Sequence, residues 1–170
     1  ILTQPSLRVY TNPDVVGCEV AGTVKNVIAI AAGMAEGMGF GDNTRATLIT
    51  RGLAEMSRLG VAMGGDPLTF AEAAGLLSGL HGPLHAPAKQ SRNTSVGLAL
   101  GQGQSNESIP GSMTMVAEGV KSSPSVLDLA HRYGVDMPIT EQVVAVCHEG
   151  RSARDALSAL MSRTSKSELG

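Results

Sequence analysis

Between Glu19 and Glu36 the chain carries one charged side chain, Lys25, in a run whose only other polar members are Thr23 and Asn26. An amine in such surroundings is predicted to be partly desolvated, which disfavours the ammonium and makes the lysine usable as a general base or acid, or as a donor to a developing oxyanion. The plainer outcome for a lysine at a helix edge is that its stem covers apolar surface while the amine reaches water. Asn26 beside it inclines the reading toward a polar site. A second cluster, Ser91, Arg92 and Asn93, brings a hydroxyl, a guanidinium and an amide to the start of a predicted helix, where free backbone N–H groups favour an anion such as phosphate. A capping residue followed by a solvated arginine would show the same letters.

Other candidates organise less. The glycines at 37, 39 and 41, and those at 101 and 103, look like phosphate loops only superficially, since neither group follows a strand in a βαβ unit, and both read as turns. His81 and His85 stand four apart, but Gly82 and Pro83 between them break the helical face that would aim both at one metal. His131 and His148 read as surface residues of their helices, and no nucleophile elbow organises the serines. Cys18 and Cys147 are isolated, so two buried thiols in a reducing, cytoplasmic compartment are expected.

The elements that must hold these groups are helices. The 170 residues are 42% hydrophobic, 16% charged and 2% aromatic with a net charge of −2, values of one soluble globular domain. No basic stripe points to nucleic acid, and no run of about 18 apolar residues free of charge points to a membrane span. Two Phe and two Tyr are too few for a β-rich core, whereas Ala, Leu, Met and Val recur at helical spacing. The fold class is therefore all-α, a multi-helix bundle around a central helix from Val15 to Ala35, apolar on nearly every face and buried all round.

Residues 12–163 form this helical domain, with an extended piece at 1–11 ahead of the turn at Asn12, Pro13 and Asp14, and a frayed tail at 164–170. Asp42 or Asn43 should cap a helix from Thr44 to Met63 with Leu48, Gly52, Met56 and Leu59 inward, and a shorter helix follows near Leu68 to Leu76. Helical order resumes near Asn93 to Leu100, and Met113, Val116, Ala117 and Val120 share a stripe. Ser123 and Pro124 read as the N-cap and first position of a helix that packs Val126, Leu127, Ala130 and Tyr133 and stops at Gly134. Thr140 reads as the cap of a helix reaching Gly150. Ser152 and Asp155 form a capping box for a last helix with Leu157, Leu160 and Met161 inward. A Met-rich helical surface could pair with a second copy, although eight methionines are also explained by a core.

Four stretches carry a resemblance: VYTNPDVVGCEVAGTVKNVIAIAAGMAEGMGFGDNTRATLITRGLAEM (9–56), SRN followed by SVGLALGQG after Thr94 (91–103), VAEGV (116–120) and GVDMPITEQV (134–143). In them the chain resembles the C-terminal domain of bacterial NAD(P)-dependent glycerol-3-phosphate dehydrogenase, of the 6-phosphogluconate dehydrogenase C-terminal type. The resemblance implies an oxidoreductase that interconverts sn-glycerol 3-phosphate and dihydroxyacetone phosphate for glycerophospholipid synthesis. It implies Lys25 as proton acceptor, substrate binding by Lys25, Ser91, Arg92 and Asn93, and NAD or NADP contacts from Arg92, Val116 and Glu118. It also implies an N-terminal Rossmann domain, with its G-x-G-x-x-G, that is not in this chain and of which residues 1–11 would be the tail.

One departure is sharp. The family carries a G-L-G-D-L motif whose aspartate lies eleven residues before the arginine; here that count from Arg92 reaches His81, while the count forward from Gly75 and Leu76 reaches Ser78, and no acidic residue stands between Glu72 and Glu107. The tract 77–90 is thus either a divergence or an out-of-frame stretch, and a non-catalytic helical interaction module descended from the enzyme stands as the rival reading. A dehydrogenase of another hydroxy acid in the same superfamily is a third, against which the match around Lys25 argues.

Overall fold

The computed structural model describes residues 11–72, 91–105, 107–111 and 117–162. The tracts 1–10, 77–90 and 164–170, together with Met113 and Val116, lie outside them. The regular elements among the described residues are all helical. They are α1 (Val15–Gly37), α2 (Asp42–Ala62), α3 (Arg92–Gly101), α4 (Glu118–Tyr133), α5 (Pro138–His148) and α6 (Ala153–Ser162), with a further helical turn at 67–72.

The predicted turn before α1 is its cap. Asp14 Oδ1 accepts from the Gly17 N–H at 2.8 Å and Oδ2 accepts from the Asp66 N–H at 2.8 Å, so one carboxylate ties the helix start to the segment leading into 67–72. The Gly17 N–H first, then those partners around Asp66 and Thr69, hold the Asp14 carboxyl below its ordinary range.

α1 is the central helix, packed most extensively on α3 and then on α2 and α4. Glycines allow the closest of these approaches. A Cβ at Gly33 would collide with Thr94 O, one at Gly37 with Leu98 O, one at Gly97 with Ile30 O and one at Gly101 with Met34 O. The two helices thus meet backbone to backbone through glycines spaced four apart on each, a spacing that puts them on one face. By length and composition alone α1, with a mean hydropathy of 1.5 over its most apolar stretch, could cross a bilayer; here it is the helix around which the bundle is built. One core joins α1, α3, α5 and α6 through Ile30, Met34, Val96, Val143 and Leu160. A second joins α1, α2, α4 and Phe70 through Val24, Ile28, Met56, Leu59 and Val126.

α1 is not buried all round, however. Val15, Val16, Cys18, Glu19 and Lys25 are exposed and Ala29 and Ala32 are half-buried, because small apolar residues read alike on a core face and on an open one. Cys18 is therefore an exposed thiol, while Cys147 is buried, and loss of water pushes its thiol up to about 12.

Helix starts depart from the predicted caps in three places. Gly41, not Asp42 or Asn43, is the N-cap of α2, and Asp42 sits in the first turn, where its charge suits the helix terminus. α4 starts at Glu118, six positions before Pro124, so the proline is interior. Its ring removes the N–H that would bond Val120 O, and that carbonyl instead accepts from Ser123 Oγ at 3.1 Å and meets His148 Nε2 at 2.8 Å. α5 starts at Pro138 with Met137 as N-cap and ends at His148, leaving Thr140 inside the first turn. Its orphan N–H groups are met by a side chain of α2: Glu55 Oε1 accepts from Ile139 N at 2.7 Å, and Oε2 from Thr140 N at 3.3 Å and Thr140 Oγ1 at 3.4 Å.

The rest agrees more closely. Leu48, Gly52, Met56 and Leu59 face inward on α2, and Gly134 ends α4 at φ 65°. Ser152 Oγ accepts from Asp155 N at 3.1 Å, the N-cap half of the predicted capping box, while Asp155 Oδ2 accepts from the Ser152 hydroxyl at 2.7 Å. Tyr133 and Met161 are exceptions to their helices' patterns: each is about half exposed, at 48% and 49%, on the open side of a last turn whose Ala130 or Leu160 is buried.

Candidate active site

Lys25 projects from the middle of α1 on its one open face. The positions that share that face, Ala29, Ala32 and Glu36, line a cleft of about 100 Å³ together with Arg45 of α2 and Thr94 of α3. The amine is thus exposed, not partly desolvated as its apolar neighbours predict, since the small alanines beneath it make a floor instead of a wall. Lys25 and Glu36 are three turns apart, about 16 Å along the axis. At the Glu36 end the charge is already matched, because Arg45 lies 3.5 Å from Glu36 and 3.6 Å from Asp42.

The Ser91, Arg92 and Asn93 cluster opens α3 as predicted. Ser91 is the N-cap, its Oγ accepting from Thr94 N at 3.2 Å and sharing a 2.8 Å contact with Thr94 Oγ1. Arg92 is the first residue of the helix and is exposed. Asn93 is only 8% exposed and turns inward. Its Nδ2 donates to Asn26 Oδ1 at 3.0 Å and its Oδ1 accepts from Gly119 N at 3.0 Å. Glu118 opens α4 with an exposed carboxylate whose Oε2 accepts from Asn26 Nδ2 at 3.2 Å.

Hydrogen bonds therefore join Asn93 and Glu118 to the residue after Lys25, and Ser91 and Arg92 share the first turn of α3 with Asn93. Val116 lies outside the described residues. The bridging part of Asn26 is not readable from spacing; its signal is a carboxamide beside the lone lysine in an otherwise apolar run. Among the described residues no group of three or more His, Cys, Asp or Glu side chains could hold a metal.

Together these make an all-helical domain of a class that gathers polar groups around one central helix, with Lys25 over a shallow cleft, Asn26 bonded to Asn93 and Glu118, and Arg92 opening α3. Comparison with known proteins sharpens that class. The family model described as NAD-dependent glycerol-3-phosphate dehydrogenase C-terminus matches residues 14–158. The glycerol-3-phosphate dehydrogenase (NAD(P)+) of Streptomyces coelicolor is 57% identical over 166 residues, 96% of this chain and 48% of the relative. That of Geobacter sulfurreducens is 54% identical over 168 residues, 99% of this chain and 49% of the relative. The crystal structure of glycerol-3-phosphate dehydrogenase from Coxiella burnetii superposes with a TM-score of 0.84 at 39% identity, covering 95% of this chain and 49% of that one. The chain belongs to the NAD-dependent glycerol-3-phosphate dehydrogenase family and corresponds to its C-terminal domain. It spans about half the length of the curated relatives it matches.

Proposed function

We propose that this chain is the substrate-binding half of an enzyme that interconverts sn-glycerol 3-phosphate and dihydroxyacetone phosphate with NAD or NADP carried on a separate dinucleotide-binding domain. The observation that carries the reading is the placement of Lys25 on the open face of α1, one residue from the carboxamide that holds Asn93 at the start of α3.

Oxidation at C2 breaks two bonds to hydrogen. Lys25, as the free amine, takes the hydroxyl proton; in the reverse direction its ammonium polarises the ketone and returns that proton. The nicotinamide, when bound, supplies or accepts the hydride. Arg92 and the first N–H groups of α3 suit the phosphate, which can take paired hydrogen bonds from the guanidinium. Ser91 and Asn93 would supply a hydroxyl and an amide hydrogen to the remaining oxygens, as the resemblance implies. The residues fit the dinucleotide as well: Glu118 is exposed, so its carboxylate can accept from a ribose hydroxyl or a carboxamide, and Arg92 is assigned to the same ligand by resemblance. Val116 joins them by resemblance. We place the reaction in the cytoplasm, in keeping with the two isolated cysteines of the sequence.

The test is a chimera in which this chain follows the N-terminal half of the Streptomyces coelicolor relative. It should oxidise NADH or NADPH only when dihydroxyacetone phosphate is present, and Lys25→Ala should slow that oxidation by about 10²–10⁴ while melting as the parent does. A cooperatively folded chimera with no turnover would contradict the reading.

A further inference from the structure

Beside Lys25, side chains and one backbone group from three helices close a ring. Asn26 of α1 donates through Nδ2 to Glu118 Oε2 at 3.2 Å and to Gly22 O at 3.2 Å. Asn93 of α3 donates to Asn26 Oδ1 at 3.0 Å, and Gly119 of α4 donates its N–H to Asn93 Oδ1 at 3.0 Å. The peptide bond between Glu118 and Gly119 completes the circuit. The ring is tight, because a Cβ at Gly119 would stand 2.6 Å from Asn26 O, so only glycine lets α4 approach α1 this closely.

Both amide hydrogens of Asn26 have acceptors and its oxygen has a donor, so its carboxamide is committed within the protein. Its side-chain partners on the other two helices are Glu118, exposed at the start of α4, and Asn93, next to Arg92 at the start of α3. Each bond polarises the next, and the order imposed on one member is shared by the others.

We propose that Asn26 is a positioning residue that couples the dinucleotide side of the site, at Glu118, to the substrate side, at Arg92 and Asn93, so that each ligand binds more tightly when the other is present. This rests on the function proposed above. Asn26 orients the Glu118 carboxylate by donating to it, and a ligand that engages Glu118 stiffens the same carboxamide that holds Asn93. The coupling is reciprocal, as any equilibrium linkage between two sites must be.

The test reads binding, not turnover. In the chimera, the dissociation constant of NADH is measured by fluorescence titration with and without sn-glycerol 3-phosphate, a reduced pair that cannot react. The wild-type protein should bind NADH about tenfold more tightly with glycerol 3-phosphate present, the scale of ordinary coupling between sites. Asn26→Asp keeps the acceptor for Asn93 but turns the donor toward Glu118 into an oxygen, and Asn26→Ala removes both; in each the tightening should disappear. A variant that melts cooperatively and keeps the full effect overturns the proposal. A wild-type chimera that binds neither ligand overturns the proposed function and this inference together, whereas wild-type binding without coupling overturns the inference alone.

Discussion

The carboxylate of Glu55 lies 2.7 Å from the backbone nitrogen of Ile139, 84 residues further along the chain, and so a side chain of α2 caps the N-terminus of α5. Glu55 is 2% exposed. Burial is the largest influence on it and raises its pKa from 4.5 to about 7, against the N–H groups of Ile139 and Thr140 and the Arg58 guanidinium, all of which favour the ionised form.

Stability should therefore depend on pH through Glu55. Between pH 4.5 and 7 the folded chain binds more protons here than the unfolded chain, so this group's contribution is greatest at the acid end and falls as pH rises through that window. The difference amounts to about 3 kcal/mol at full ionisation. Urea unfolding of the parent and Glu55→Gln at pH 4.5 and pH 8 checks it: Gln should gain on Glu by about that amount at the higher pH. Parallel pH dependence would contradict the assignment.

Opposite signs are expected at two glycines of the same bundle. Gly97→Ala drives a methyl into Ile30 O and should cost about 2 kcal/mol despite alanine's better helix propensity. Gly22→Ala, with nothing within 4 Å of the added carbon, should stabilise by about 0.5–1 kcal/mol. Thermal melts of the two variants measure both.

Much of this arrangement can be read from local letters. The long apolar run with one lysine marks α1, Ser91 marks the start of α3, and the spacing from Ser152 to Asp155 marks the start of α6, because each depends on residues within a turn or two. Glu55 is not readable in this way: on its own helix it resembles any solvated glutamate, and its partners are distant in the chain. The exposure of Lys25 is hidden for a related reason, since Ala29 and Ala32 carry no mark of whether another helix covers them.

Pro124 illustrates a rule misdirected by a distant partner. A serine followed by proline reads as a helix start, yet here Ser123 and His148 replace the hydrogen bond that the ring denies Val120 O. His148→Ala should cost about 1 kcal/mol in the parent and distinctly less in Pro124→Ala, where residue 124 regains its own N–H. A double-mutant cycle by urea unfolding tests this; additive effects would contradict it.

The proposed transfer of the C2 hydroxyl proton by the Lys25 amine can be read from the kcat of Lys25→Ala for dihydroxyacetone phosphate reduction in the chimera, with and without added ethylamine. Because Lys25 is exposed over an open cleft, a small amine can reach its place. The expected result is a loss of about 10²–10⁴ in kcat, the range for a positioned acid or base, and partial recovery that rises with amine concentration. A Lys25→Ala enzyme that turns over at the parent's rate would contradict it.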